Sequence, residues 1–130
     1  MNPISRYMRW LHTRWPAGTV EKLPAVNPDG STAVPGLYVV GDITGIPLLK
    51  FSSDTGAKAV MTLSGDSAFK KRDTSATHNG QPVLDLVVIG AGVSGVAAAI
   101  EARKQDLAFE LLEASEAFST IVNFPKGKPI

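Results

Sequence analysis

Val87, Val88 and Ile89 run directly into Gly90-Ala91-Gly92-Val93-Ser94-Gly95, and Val96 opens an alanine-rich stretch. An apolar, β-branched run that breaks at three glycines and resumes with helical spacing predicts a strand, a tight turn and a helix. The spacing is G-x-G-x-x-G, and each glycine has its own physical task. Gly90 permits the sharp exit from the strand, Gly92 lets backbone approach a phosphate closely, and Gly95 lets the helix pack tightly on the strand. Unpaired N–H groups at the helix start, together with the positive end of its dipole, then face an anion. Gly90, Ala91, Gly92, Val93, Ser94 and Gly95 are therefore candidate diphosphate-binding residues.

The flanks carry the inference, because a glycine triplet alone is common in turns. Residues 84–89 have the length and near-continuous apolarity of a strand buried on both faces. Val96, Ala99, Ile100 and Arg103 fall at helical spacing, and Ala98, Ala99 and Ala102 are small enough for close contact with a sheet. Residues 108–112 read as a second strand. It ends at Glu113, eighteen positions beyond Gly95 and close to the offset at which an acid meets ribose hydroxyls. A carboxylate there accepts two hydroxyl hydrogen bonds and repels a 2′-phosphate, so the expected ligand is an unphosphorylated adenine dinucleotide, FAD or NAD. The fold expected is α/β, a Rossmann-like parallel sheet with helices.

Composition narrows the chemistry further. The 130 residues hold no cysteine, which excludes disulfides, thiolate metal sites and a redox-active cysteine pair within the chain. Thirteen basic residues against twelve acidic ones give a net charge of +1, so nothing favours nucleic acid as a partner. No apolar run reaches membrane-spanning length and no signal-peptide core follows Met1, so a cytoplasmic location is the default expectation. His12 and His78 stand without a neighbouring carboxylate or second ligand, and no metal site and no catalytic side chain is assigned.

Before the glycine loop, Ile4, Met8, Leu11 and Trp15 fall at helical spacing and predict a short amphipathic helix. Asn27-Pro28-Asp29-Gly30 is a strong turn sequence and predicts a small hairpin between residues 19 and 35. Residues 36–42, Gly-Leu-Tyr-Val-Val-Gly-Asp, read as a buried strand ending in a carboxylate. Ser52, Ser53 and Asp54 supply helix-starting side chains for a helix that stops near Gly65. Polar residues 65–82 read as a surface linker. The organisation expected is thus a segment over 1–64, a linker over 65–82 and a strand–helix–strand dinucleotide unit over 83–130.

Two of these stretches resemble the FAD-binding domain of the glutathione reductase and thioredoxin reductase-like flavoproteins, the pyridine-nucleotide-dependent oxidoreductases. Residues 84–113 look like that family's N-terminal ADP-binding unit. Thr32-Ala33-Val34-Pro35-Gly36, with the strand closing in Gly41-Asp42, is similar to its late motif. The resemblance implies that Asp42 bonds the ribityl chain of FAD, with Gly41 beside it. It also implies that Thr55, Gly56 and Ala57 form a helix start facing the flavin pyrimidine, and that Ala114 lines the cofactor after Glu113.

The two motifs occur in reversed order, which predicts either a junction from a longer chain or a circularly permuted domain with both motifs in one parallel sheet. An incomplete domain is expected, with NAD(P)H bound by another domain of a parent enzyme and electrons passed through FAD to an acceptor. The alternatives are a module that binds NAD without flavin, leaving Asp42 no ligand role, and a non-catalytic remnant.

Overall fold

The computed structural model describes residues 3, 4, 6, 7, 22–71 and 77–127. Met8, Leu11 and Trp15 of the expected N-terminal helix, and His12 with them, lie outside the described residues; Ile4 is helical and exposed. The described elements are a 3₁₀ turn Asp42–Thr44, helix α1 (Leu49–Gly65), strands β1 (Thr77–His78), β2 (Gln81–Pro82) and β3 (Leu86–Ile89), helix α2 (Val93–Lys104), strand β4 (Phe109–Leu112) and helix α3 (Ser119–Val122).

The centre is the β3–α2–β4 unit. β3 and β4 pair in parallel, Leu86 beside Phe109 through Ile89 beside Leu112, with α2 as the crossover. This is the Rossmann-like α/β architecture expected of the glycine-rich sequence. Leu86, Val88, Phe109 and Leu111 point to one face, where Val88 is buried with Ala98, Ala102, Leu107 and Val60 of α1. The alanines let α2 lie close to the sheet, while Ile100, expected on the packing stripe, is exposed.

α2 ends in a Schellman motif. Asp106 takes a positive φ of 53°, its N–H donates to the Arg103 carbonyl, and the Leu107 N–H donates back to Ala102 at 2.9 Å. Leu107 is thereby turned into the core, and Arg103 and Lys104 lie at the negative end of the helix dipole.

The expectation that β3 is buried on both faces is corrected. Val87 is 48% and Ile89 85% exposed, because α1 and α2 both cover the face that carries Val88.

Residues 36–42 also depart from expectation. They form no strand in the β3 sheet, because their backbone is used by the chain just before them. The Val34-Pro35-Gly36-Leu37 turn closes with a Leu37 N–H to Val34 carbonyl bond of 3.1 Å, with Gly36 at φ 79° as a type II turn requires. Thr32 then donates to the Leu37 carbonyl, Val39 donates to Gly30, and Ser31 bridges Tyr38.

The Asn27-Pro28-Asp29-Gly30 turn does form, with Gly30 donating to the Asn27 carbonyl at 2.9 Å. The laddered hairpin, however, is β1–β2, where Asn79 and Gly80 both take positive φ in the manner of a type I′ turn. His78 lies on this hairpin and is exposed. Among the described residues no helix is long and apolar enough to cross a membrane.

Candidate functional site

The site is built where β3 hands over to α2. Gly90 has φ 96°, a conformation that turns the chain sharply out of the strand and that side-chain-bearing residues rarely adopt. Gly95 sits so close to the strand exit that an added Cβ would lie 1.8 Å from the Gly90 carbonyl oxygen. Gly92 differs from both. Its φ of −72° suits any residue and an added Cβ would meet nothing within 4 Å, so the space over Gly92 is open.

Helix α2 starts at this opening with no side-chain cap. Among the described residues no acceptor meets the amides of Gly92, Val93 and Ser94, whereas Val96 already donates to the Gly92 carbonyl at 3.0 Å. Three adjacent uncapped donors at the positive end of a helix form an anion-receptive surface.

Ala91 is corrected as a phosphate donor. It is buried, and its N–H already donates to Glu113 Oε2 at 2.7 Å. Its carbonyl accepts from the Phe118 N–H at 2.9 Å, so the Ala91 peptide is clamped from both sides by the segment that follows β4.

Glu113 stands beside the glycine loop, as the offset from Gly95 predicts, but carries more than one duty. Its Oε1 accepts from the Ser115 N–H at 2.9 Å and from the Ser115 hydroxyl at 3.2 Å. Donation from the Ala91 amide, and then from Ser115, holds its carboxyl below the usual glutamate range. The side chain is therefore an ionised acceptor at neutral pH, fixed in place with lone-pair capacity left for a hydroxyl. Ala114 lies in the exposed turn beyond it.

Asp42 reaches the same place from the other side. Gly41 passes so near α2 that a Cβ there would lie 2.1 Å from Ser94 Oγ. The Asp42 turn is closed by Thr44, whose N–H and hydroxyl both donate to the Gly41 carbonyl, at 2.9 and 2.7 Å. Asp42, Gly90, Gly92, Val93, Ser94 and Gly95 line one cleft of about 560 Å³, whose remaining wall is largely apolar.

Thr55, Gly56 and Ala57 are corrected as a helix start. Helix α1 begins at Leu49, just after Pro47, and Ser52 already donates its N–H to Leu48 at 2.8 Å. The amides of Thr55, Gly56 and Ala57 are thus interior helix donors committed to the preceding turn. Gly56 serves instead as the crossing point of the two helices, since a Cβ there would lie 2.1 Å from the Ser94 carbonyl oxygen. Ser52 does not cap the helix; its hydroxyl donates to Asp42 Oδ1. That contact and the Phe118 clamp on Ala91 were missed in the sequence, because neither side of either contact has a local partner at a recognisable spacing.

Residues 85–127 match the model of a family described as FAD binding domain. The cofactor of this unit is FAD. The chain is also similar to the 8-methylmenaquinol:fumarate reductase flavoprotein subunit of Wolinella succinogenes, 35% identical over 65 residues that make up 50% of this chain. The chain spans 11% of the length of that relative. No solved structure matches it. These findings support FAD as the cofactor without singling out the glutathione and thioredoxin reductase-like group.

Proposed function

We propose that this chain is the FAD-binding module of a flavin-dependent oxidoreductase. In this reading the amides of Gly92, Val93 and Ser94 hold the diphosphate and Glu113 accepts from the adjoining ribose. Asp42 accepts from a hydroxyl of the ribityl chain, residues 83–130 act as the ADP-binding unit, and 1–64, joined through 65–82, serves as the counterpart of the C-terminal part of an FAD-binding domain. The observation that carries it is the uncapped start of α2 opening, over Gly92, into the cleft that Asp42 also lines.

The residues present fit the cofactor by the chemistry of their donors and acceptors. A diphosphate needs N–H donors and a helix N-terminus, and these lie at one end of the cleft. Two polyhydroxylated pieces need acceptors, and carboxylates stand at Glu113 and Asp42. The apolar remainder, including Leu37, Val39, Val87 and Ile89, suits a ring system. FAD, when bound, supplies the redox chemistry through its isoalloxazine ring, and the protein contributes binding, orientation and the local field.

The resemblance of the two motifs to reductases supports NAD(P)H, held by another domain, as the electron donor in the parent enzyme. The relative's own name pairs a quinol with fumarate, but the likeness spans only a small part of that protein, so its substrates are not carried over to this chain.

The test is reconstitution of the full chain with FAD, followed by the visible flavin spectrum and the quenching of flavin fluorescence. Stoichiometric FAD with a perturbed spectrum is expected. A colourless protein that leaves flavin fluorescence unchanged overturns the reading.

A further inference from the structure

Ser52 is the one buried polar residue among the described ones, 3% exposed, and its hydroxyl is spent on the carboxylate of Asp42. We infer that Ser52 is a positioning residue for cofactor binding, fixing the Asp42 carboxylate so that its second oxygen faces a ligand hydroxyl in the cleft. This rests on the FAD-binding reading and goes beyond it by assigning a role to a residue in α1 that, although it lines the cleft, has its hydroxyl committed to Asp42.

Asp42 is exposed at the edge of the cleft, where a carboxylate on a short side chain would otherwise rotate between conformations. The Gly41–Ser94 approach and the Thr44 bonds place its backbone but leave the side chain free. Ser52 restrains the side chain itself. Its own backbone is fixed on both sides, with N–H donated to Leu48 at 2.8 Å and carbonyl accepting from the Thr55 hydroxyl at 3.1 Å.

A hydroxyl anchored in a helix and donating to Oδ1 sets the plane of the carboxylate. Among the described residues no donor meets Oδ2. An acceptor oriented before the ligand arrives does not have to be ordered by it, which raises affinity without any added contact to the ligand.

The experiment measures the dissociation constant of FAD, by quenching of its fluorescence, for this chain with its natural sequence, Ser52→Ala, Asp42→Asn and the double variant. Loss of the restraint leaves the Asp42 side chain to be ordered by the ligand, which predicts a constant about two- to tenfold weaker for S52A. Asp42→Asn should weaken binding at least as much, and the double variant should be no weaker than D42N alone, because Ser52 acts only through that carboxylate.

Equal binding by S52A and wild type overturns the inference, as does a double variant in which the two losses multiply. Wild type that fails to bind FAD overturns the functional reading itself and this inference with it. Should S52A fail to fold, Asp42→Glu carries the same expectation, since it keeps the charge but shifts the carboxylate off the fixed hydroxyl. Unchanged FAD affinity in D42E would then count against Ser52.

Discussion

The glycine loop and the Asp42 turn face one cleft but depend on different kinds of order. The loop is specified by its own thirty residues. Strand, turn, helix and second strand pack on one another, and the contacts at Gly90 and Gly95 are made within that unit. The Asp42 turn has no sheet of its own. It is held by approach to Ser94, by the short bonds of Thr44 and by one side chain from α1. A motif closed by local sterics carries its geometry with it, whereas one that needs a distant partner takes its geometry from whatever packs beside it.

The largest expected effect lies in the loop. Gly95→Ala puts a methyl group into the Gly90 carbonyl, backbone against backbone, and neither side can yield without separating α2 from β3. A loss of about 3 kcal/mol in denaturant unfolding is expected. A loss near zero would mean that the helix does not pack on the strand in this way.

Gly56→Ala tests the joint between the two regions, because its methyl would meet the Ser94 carbonyl oxygen. About 2 kcal/mol is expected, with α1 displaced and FAD affinity falling along with stability. If stability falls and affinity does not, the Asp42 side of the cleft contributes little to binding.

Gly92→Ala separates binding from folding. Its backbone suits any residue and the space above it is open, so the cost in stability should be about 0.5 to 1 kcal/mol, that of an alanine at a helix N-cap. The methyl would stand where a diphosphate has to approach, and FAD affinity should drop at least tenfold, roughly the effect of losing one charged hydrogen bond.

The smallest effect is on the acid side. The carboxyl of Glu113 is held below the ordinary glutamate range by the amides of Ala91 and Ser115. A folded-state value lower than the unfolded one means that the ionised group stabilises the fold above the ordinary value of about 4.3. That contribution fades as the pH falls through the depressed value. Thermal unfolding should therefore show a modest gap between wild type and Glu113→Gln at neutral pH that closes on acidification. A gap that widens would reverse the assigned role.

Much of the βαβ unit was legible in the sequence. The glycine spacing fixes a turn, the alanines fix a close helix, and the distance from Gly95 to Glu113 fixes where the second strand must end. The exposure of Val87 and Ile89 was not legible, because an apolar run looks the same whether one face or both are covered.

The start of α1 was misplaced for a related reason. Ser52, Ser53 and Asp54 are good caps, but Ser52 is drawn to Asp42, ten residues back, and the helix begins instead at Leu49 behind Pro47. The strand expected over 36–42 failed because two closely spaced turns bring its backbone to residues 30–32 before it can reach β3. Alternation and composition record what a residue prefers, and they are silent on which of two partners captures it.

The most direct test is a titration of the ¹⁵N-labelled chain with FAD, followed through its backbone amide resonances. Large shifts confined to Gly92, Val93, Ser94 and the surroundings of Glu113 and Asp42, with the Ala91 amide still protected from exchange by its bond to Glu113, are the predicted result. Shifts that bypass the start of α2, or none at all, would contradict the claim that these amides receive the diphosphate.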